Sequence, residues 1–342
     1  MIMFSLFINR SGVAQGVYDM GGHVHSVAPW GIVERTLFSY LPTCFAKIKN
    51  PLSAVEEYGG ERFYIQRTFS LGDVLLTIPA IRALRRKGYD AVLRTCLDLM
   101  PLMEAIGVPT EPTNNPAKSP GLLADYLIEL DHRRFDLSKW NRAALYMEAV
   151  GLDGRSEQAD WSCDLSRFPA LPIYITRPYV VVQTAGSSRS KRLPPETVCA
   201  VTEGLAGKGK LVVWIGDDRD IKVSEKVVKL GNRLRIAELF TLIASADGLV
   251  TMDSGPLWIS HFTLTPVIMI LGPTDWRQRL DLHPLYPEGT RWVELSREIG
   301  CKPCYENSVP CNGSWKCLSV APGRVAELVM EKSDVFDQGV VK

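Results

Sequence analysis

Four short turns in the sequence combine small residues with acidic or basic ones, and each follows a run of apolar residues. They are 70–73 (SLGD), 184–192 (TAGSSRSKR), 253–256 (DSGP) and 272–275 (GPTD). The first three also precede helical patterns, so free backbone N–H groups and the positive end of a helix dipole would face them. Small residues let a ligand come close to the backbone, and this combination predicts binding of a phosphate or diphosphate.

The first turn adds a candidate for proton transfer, Asp73. A carboxylate at the end of a strand can take the proton of an attacking hydroxyl group, and Gly72 lets the backbone turn tightly beside it. The alternative is an aspartate that only caps the following helix.

The second turn adds full positive charge through Arg189, Lys191 and Arg192. Those cations favour a bound anion, and a solvated basic loop is the alternative. The spacing is not that of a Walker loop. After the apolar run 211–215, Asp217 or Asp218 could accept hydrogen bonds from the paired hydroxyls of a ribose, and an ordinary turn aspartate is an equally open interpretation.

Four of the eight cysteines lie within one loop, 301–317, at the positions Cys301, Cys304, Cys311 and Cys317. In a reducing compartment such a set predicts metal ligands before disulfides, and four soft thiolates favour structural zinc or iron. Four reduced or paired cysteines without a metal are the alternative.

The elements around these turns follow a β-loop-α-β order, which is typical of a parallel sheet covered by helices. The first set has strands at 62–67 and 91–95, helices at 75–87 and 97–106, and helical or mixed segments at 122–130 and 139–150. The second set has strands at 179–183, 211–215, 248–252 and 266–271, and helices at 195–204, 221–230, 236–246 and 254–262. The proline-rich stretch 169–178 separates the sets, so we predict domains at 61–172 and 173–342. Residues 1–60 form an N-terminal extension, with a β-hairpin expected from 23–27 and 32–37.

Composition excludes several classes of protein. The 342 residues are 46% hydrophobic and 23% charged, which argues against disorder, and the net charge of +1 does not favour a nucleic-acid-binding surface. We find no apolar run long enough for a transmembrane helix and no signal-peptide pattern. A cytoplasmic location is expected, with peripheral attachment at the inner membrane as an option.

Three stretches resemble the signatures of glycosyltransferase family 9, the ADP-heptose:lipopolysaccharide heptosyltransferase family. They are RTFSLGDVLLTIPAIRAL, QTAGSSRSKRLPPETV and MDSGPLWISHFTLTPVIMILGPTD, and the similarity runs from about Arg62 to about Val329. One departure is Leu193, where the family often has an aromatic residue.

The resemblance implies the GT-B fold, two Rossmann-like domains with a cleft between them, the acceptor bound by the first and the donor by the second. It implies inverting transfer of a heptose-like sugar from a nucleotide diphosphate sugar to a hydroxyl of a lipopolysaccharide core or a protein, with no cofactor and no metal at the diphosphate. Asp73 would be the general base, and Ser70 and Gly72 would lie on the acceptor side. The donor-binding residues would be Thr184, Ser187, Ser188, Arg189, Lys191, Asp217, Asp253, Ser254, Gly255, Pro256, Gly272 and Thr274.

Two other functions stay open on the sequence. One is a glycosyltransferase that acts on a modified nucleic-acid base, and the other is a non-catalytic nucleotide-binding subunit of an assembly. The expected partners are an ADP-heptose-like donor and a hydroxyl acceptor such as an anionic glycolipid, and the sequence leaves oligomer formation open.

Overall fold

The computed structural model describes residues 4–8, 14–18, 62–68, 70–113, 126–130, 141–186, 188–216, 219, 221–301, 311 and 314–337. The strands are β1 (Phe4–Ile8), β2 (Ala14–Tyr18), β3 (Arg62–Gln66), β4 (Asp90–Thr95), β5 (Thr110–Pro112), β6 (Tyr126–Glu129), β7 (Tyr179–Gln183), β8 (Leu211–Ile215), β9 (Val227–Gly231), β10 (Gly248–Thr251), β11 (Val267–Leu271) and β12 (Thr290–Glu294). The helices are α1 (Leu71–Leu75), α2 (Ile78–Arg86), α3 (Met100–Ile106), α4 (Arg142–Ala149), α5 (Pro195–Gly207), α6 (Ile236–Ala244), α7 (Gly255–Thr263), α8 (Arg277–Leu280), α9 (Leu295–Glu298) and α10 (Pro322–Glu331).

The chain divides into two compact units, Met1–Asp160 and Trp161–Lys342. Each described sheet belongs to one unit and has six strands. Within the described ranges, every helix falls short of the length and apolarity that crossing a bilayer requires.

The first unit has the strand order β2-β1-β6-β3-β4-β5. Strands β3 to β6 run parallel, whereas β1 pairs antiparallel with both β2 and β6. The N-terminal extension thus contributes a hairpin to this sheet, at 4–8 and 14–18. The hairpin that the sequence predicts at 23–27 and 32–37 lies outside the described residues.

The second unit is a fully parallel sheet in the order β9-β8-β7-β10-β11-β12. The first three strands in the chain extend the sheet in one direction and the last three in the other, which is the order of a Rossmann fold. All residues of β7 and β11 are buried, as expected when helices cover both faces. One such helix, α5, packs against α10, and both contribute to the core with Val198, Val201, Val325 and Val329.

At the start of β10, the ring of Phe336 fills the space beside Gly248. A Cβ atom at Gly248 would overlap that ring. Phe336 belongs to a short 3₁₀ turn, Ser333–Phe336, that follows α10. Gly248 therefore cannot accept a side chain unless the aromatic ring moves.

The structure corrects three predicted helices. The helix expected at 221–230 is wrong: that segment ends in strand β9, because Val227 and Leu230 are buried while β9 pairs with β8. The helix expected at 75–87 is two helices, α1 and α2, with a turn at Leu76 and Thr77 just before Pro79. The helix at 97–106 begins as a 3₁₀ turn, and its α-helical part starts at Met100.

Candidate functional site

The polar turns of the second unit gather where its strand order reverses, between β7 and β10. Ligands in such sheets bind outside the carboxyl ends of the strands at this point. Gln183, the last residue of β7, joins the two strand ends, because its Oε1 accepts hydrogen bonds from Thr251 Oγ1 and from Ser254 Oγ, each at 2.8 Å. Gln183 itself is 3% exposed.

The turn after β7 closes on itself. The N–H of Gly186 donates to the carbonyl of Lys191 at 2.6 Å, and Ala185 bridges antiparallel to Arg192. A Cβ atom at Gly186 would lie 2.8 Å from the Cβ of Lys191, so this turn has no room for a larger residue. The closed turn fixes the backbone that carries Lys191.

The other predicted residues of this turn lie at different depths. Thr184 is fully buried, and its hydroxyl accepts a hydrogen bond from the indole of Trp214 at 3.0 Å, so its side chain supports the sheet. Ser188 is half-buried and Arg189 is exposed. Leu193, at the position where family members often have an aromatic residue, is part of the core.

Asp253, directly after β10, is the centre of a buried charge cluster that we call the Asp253 cluster. Its carboxylate receives two hydrogen bonds from Arg279, Nε to Oδ1 at 2.8 Å and Nη2 to Oδ2 at 2.7 Å. Thr274 Oγ1 donates to Oδ2 at 3.1 Å, and Lys191 Nζ lies 3.3 Å from the same oxygen. The cluster, made of Asp253, Arg279, Thr274 and Lys191, joins the turns after β7, β10 and β11.

A second contact brings the same turns together. A Cβ atom at Gly272 would lie 3.0 Å from the carbonyl oxygen of Ser190, so the turn after β11 lies close against the turn after β7. Helix α7 begins at Gly255, with Pro256 in its first turn and Ser254 as the residue before it. The positive end of α7 and the amine of Lys191 thus both lie at turns joined to Asp253, an arrangement suited to an anion.

Asp73 occupies the corresponding place in the first unit, where the strand order reverses between β3 and β6. Arg67, one residue after β3, donates to Asp73 Oδ2 at 2.6 Å and to the carbonyl of Leu130, one residue after β6, at 2.8 Å. Arg142 Nη1 lies 4.0 Å from Asp73 Oδ1. Arginines from two elements therefore hold the carboxylate, whose side chain is 18% exposed.

The capping interpretation does not describe Asp73. Ser70 is the residue before α1, and Asp73 lies within the first turn of that helix, bonded to Arg67. Ser70 is exposed and has a φ angle of 67°, a left-handed conformation that is uncommon for residues other than glycine, while Gly72 is buried. Burial and the nearby charge of Asp73 raise the pKa of Tyr146, which keeps the phenol protonated as a hydrogen-bond donor to that carboxylate.

A pair of buried histidines lies behind the Asp253 cluster. The rings of His261 and His283 are 4.5 Å apart, and His261 Nε2 lies 3.1 Å from the carbonyl oxygen of Arg279. Burial lowers the pKa of His261 to about 4. Burial, and then the charge of His261, hold the pKa of His283 well below its ordinary value. Both rings are therefore neutral core groups at neutral pH.

The described cysteines of the 301–317 loop differ in depth. Cys301 is exposed, Cys311 is half-buried, and Cys317 is buried with its sulfur 3.8 Å from the place of a Cβ on Gly272. Among the described residues, no three His, Cys, Asp or Glu side chains form a group that could hold a metal. Cys304 lies outside those residues, as do Ser187 and Asp217.

Two arginines of these sites carry no signal in the sequence. Arg279 and Arg142 lie within helices far along the chain from their aspartates, and nothing in their spacing marks them. Arg67 is different, because a cation directly after a strand and six residues before Asp73 could have been selected.

Comparison with known proteins gives one family. The model of glycosyltransferase family 9 (heptosyltransferase) matches residues 79–312, a range that begins just after Asp73. The chain is 31% identical to lipooligosaccharide heptosyltransferase 2 of Campylobacter jejuni subsp. jejuni serotype O:6 over 109 aligned residues. The alignment covers 32% of this chain and 33% of that protein. The chain thus spans about a third of the length of the curated relatives it matches.

Solved structures share the fold. The dodecameric iron-containing heptosyltransferase TibC, in complex with ADP-D-beta-D-heptose, has a TM-score of 0.61 at 15% identity, over 96% of this chain and 84% of TibC. The E. coli ADP-heptose lps heptosyltransferase II has a TM-score of 0.57 at 15% identity, over 81% of this chain and 99% of that one. The predicted α/β class with two Rossmann-like domains is confirmed.

Proposed function

Because the chain belongs to glycosyltransferase family 9, the heptosyltransferase family, we propose that it transfers a heptose-like sugar from a nucleotide diphosphate donor to a hydroxyl acceptor, with inversion. The observation that carries the proposal is the meeting of three turns around Asp253, with Lys191 and the start of α7 among them. Their charges and N–H groups suit a diphosphate.

In the proposed reaction, the acceptor oxygen bonds to the anomeric carbon while the bond from that carbon to the diphosphate breaks. The acceptor proton passes to the carboxylate of Asp73, and the nucleoside diphosphate leaves with its negative charge. Lys191 and the N–H groups at the start of α7 stabilise that charge. Ser254, Gly255, Pro256 and Gly272 contribute backbone and space at the donor turns, and Ser188 and Arg189 add polar groups at the edge.

Asp253 has a different role from the one that the resemblance implies for its turn. A carboxylate repels a diphosphate, and this one is held by Arg279 and Thr274. We assign Asp253 to the support of Lys191, and contact with the donor to the N–H groups that follow it. Thr184, with its hydroxyl bonded to Trp214, likewise supports the turn.

For the donor we propose ADP-heptose, and for the acceptor a lipopolysaccharide core. The C. jejuni relative is a lipooligosaccharide heptosyltransferase, and TibC is a heptosyltransferase with a bound ADP-heptose. Family membership and the near-neutral charge of the chain favour this function over a nucleic-acid acceptor.

For the loop 301–317 we propose four thiolate ligands of a structural zinc or iron ion. The spacing of Cys301, Cys304, Cys311 and Cys317 supports this, and TibC is described as containing iron and as dodecameric. The described thiols alone form no such site. The metal content of the purified chain, compared with Cys301→Ser, and its mass in solution test the ligand set and the oligomer.

The deciding experiment compares Asp73→Asn with wild type. Loss of the carboxylate removes the proton acceptor, so we expect kcat for heptose transfer from ADP-heptose to fall by about 100-fold or more. ADP affinity, measured by calorimetry, should stay within about threefold of wild type, because the donor turns lie in the other unit.

Asp98→Asn is the control, since Asp98 is an exposed aspartate at the start of a 3₁₀ turn in the same unit. Equal transfer by wild type and Asp73→Asn would refute the role of Asp73. A wild-type chain that binds ADP without any transfer would support the non-catalytic subunit instead.

A further inference from the structure

Arg279 is a buried cation whose side chain points at another residue of the protein and not at solvent. It lies in α8, is 2% exposed, and grips both oxygens of Asp253 at 2.8 and 2.7 Å. Its Nη1 also donates to Gln278 Oε1 at 3.2 Å. A guanidinium stays charged at all ordinary pH values, so the charge that Arg279 brings to Asp253 does not depend on pH.

Lys191 is the second cation on the same carboxylate, and its contact is weaker. Its Nζ lies 3.3 Å from Asp253 Oδ2, and its side chain is 20% exposed, against 3% for Arg279 and 7% for Asp253. One carboxylate and two cations give the Asp253 cluster a net charge of +1. The cation with the longer contact and the greater exposure is the one that can leave.

The contacts of Arg279 matter for Asp253 when the Lys191 amine leaves this carboxylate to bind an anion. The carboxylate then keeps both hydrogen bonds from Arg279 and the one from Thr274, so no buried charge is left without a counter-ion. Without the charge of Arg279, the Asp253 cluster would keep one cation, Lys191, on this carboxylate. The departure of Lys191 would then remove that cation from a buried carboxylate, so it would cost more free energy than it does with Arg279 in place.

We propose that Arg279 is a positioning residue for the donor site: it neutralises Asp253 so that Lys191 can exchange that carboxylate for the diphosphate of the nucleotide sugar. The inference rests on the proposed function, because it takes a nucleoside diphosphate as the anion. It assigns to Arg279 an effect on donor affinity that acts through Lys191, without contact to the donor.

A purely structural role would have another signature. Arg279 also anchors α8, and its carbonyl oxygen faces His261. If anchoring were its whole contribution, a substitution would lower the free energy of unfolding, while ADP affinity of the folded fraction would not depend on whether Lys191 is present.

The experiment measures ADP binding to the full chain by calorimetry, for wild type, Arg279→Gln, Arg279→Lys, Lys191→Met and the Arg279→Gln/Lys191→Met pair. We expect about tenfold or greater loss of affinity for Lys191→Met and for Arg279→Gln. Arg279→Lys keeps the charge but loses the two-point contact, so its loss of ADP affinity should be smaller than that of Arg279→Gln. The paired variant should bind ADP within about threefold of Arg279→Gln. In Arg279→Gln, Lys191 already stays paired with Asp253 and does not bind ADP, so its removal changes little.

The pair Asp253→Asn/Arg279→Gln covers the case in which Arg279→Gln does not fold. It removes both buried charges, including the carboxylate that would otherwise hold Lys191, so its ADP affinity should return to within about threefold of wild type. Arg324→Gln is the charge-removal control, since Arg324 lies in α10 and pairs with Glu298 and Glu327.

Two results would overturn the inference alone: Arg279→Gln binding ADP as wild type does, or the losses for Arg279→Gln and Lys191→Met adding in full in the paired variant. A wild-type chain that binds none of ADP, UDP, GDP and CDP would contradict the proposed function itself, and the inference with it.

Discussion

Among single residues, His261 and His283 show how burial changes the pKa of a side chain. Both pKa values lie below the ordinary 6.5, that of His261 at about 4, because burial disfavours the charged ring. Above about pH 6.5 both rings are neutral in the folded and the unfolded chain, so they add no pH dependence. Below about pH 6.5 these histidines bind protons in the unfolded chain but not in the folded chain, so the free energy of unfolding falls.

We therefore expect the free energy of unfolding to drop by about 1.4 kcal/mol per pH unit for each histidine as the pH falls below about 6.5. For His261 the loss ends near pH 4. Urea titrations between pH 8 and pH 5 measure this slope, and His261→Gln should remove one histidine's share of it. An unchanged slope in that variant would show that His261 takes up its proton without unfolding.

Residue types also explain which part of the site the sequence could predict. Asp73, Lys191, Asp253 and Thr274 lie in turns whose small residues and positions after apolar runs mark them. Arg279 could not be predicted, because its importance comes from a partner 26 positions away that only the fold brings near.

Among the elements, the turn after β7 has a backbone with little space around it. Its closure places Gly186 against Lys191, where a Cβ atom would come within 2.8 Å of the lysine Cβ. We expect Gly186→Ala to displace Lys191 and weaken ADP binding by about tenfold, measured by calorimetry.

Gly207→Ala is the matched control for that substitution. Gly207 is the last residue of α5, and a Cβ atom there meets nothing within 4 Å. Alanine should leave ADP binding unchanged and raise the free energy of unfolding by up to about 1 kcal/mol, because glycine is a poor helix former. Equal ADP affinities for the two variants would mean that the turn tolerates the added methyl group.

Elements with continuous apolar runs could be predicted from the sequence, as the buried strands β7 and β11 show. Strand β9 could not, because it is a sheet edge with only Val227 and Leu230 buried, and its pattern fits a helix as well. Strand β12 has a weak local signal, since only Thr290 and Val293 of its five residues are buried. Helix α10 was predictable, because its buried residues Val325, Ala326 and Val329 recur at helical spacing after a proline in the first turn.

At the scale of the whole molecule, the proposed donor-binding residues and the proposed general base lie in different units, each with its own sheet. All members of the Asp253 cluster lie in the second unit, and Asp73 lies in the first. ADP at about 100 times its dissociation constant should stabilise the folded chain by about 2.7 kcal/mol.

That stabilisation should be local in hydrogen exchange. We expect ADP to slow amide exchange at the turns after β7, β10 and β11, with adenosine, which has no diphosphate, as the control. Protection by ADP in the first unit with none at these three turns would contradict the assignment of the donor site.

The contact between Gly248 and Phe336 links two positions that lie far apart in the chain, one at the start of a central strand and the other after the last helix. A methyl group at Gly248 needs a smaller residue in place of Phe336. Over evolutionary time the two positions should therefore covary, and a homologue with alanine in place of the glycine should carry a smaller residue in place of the phenylalanine.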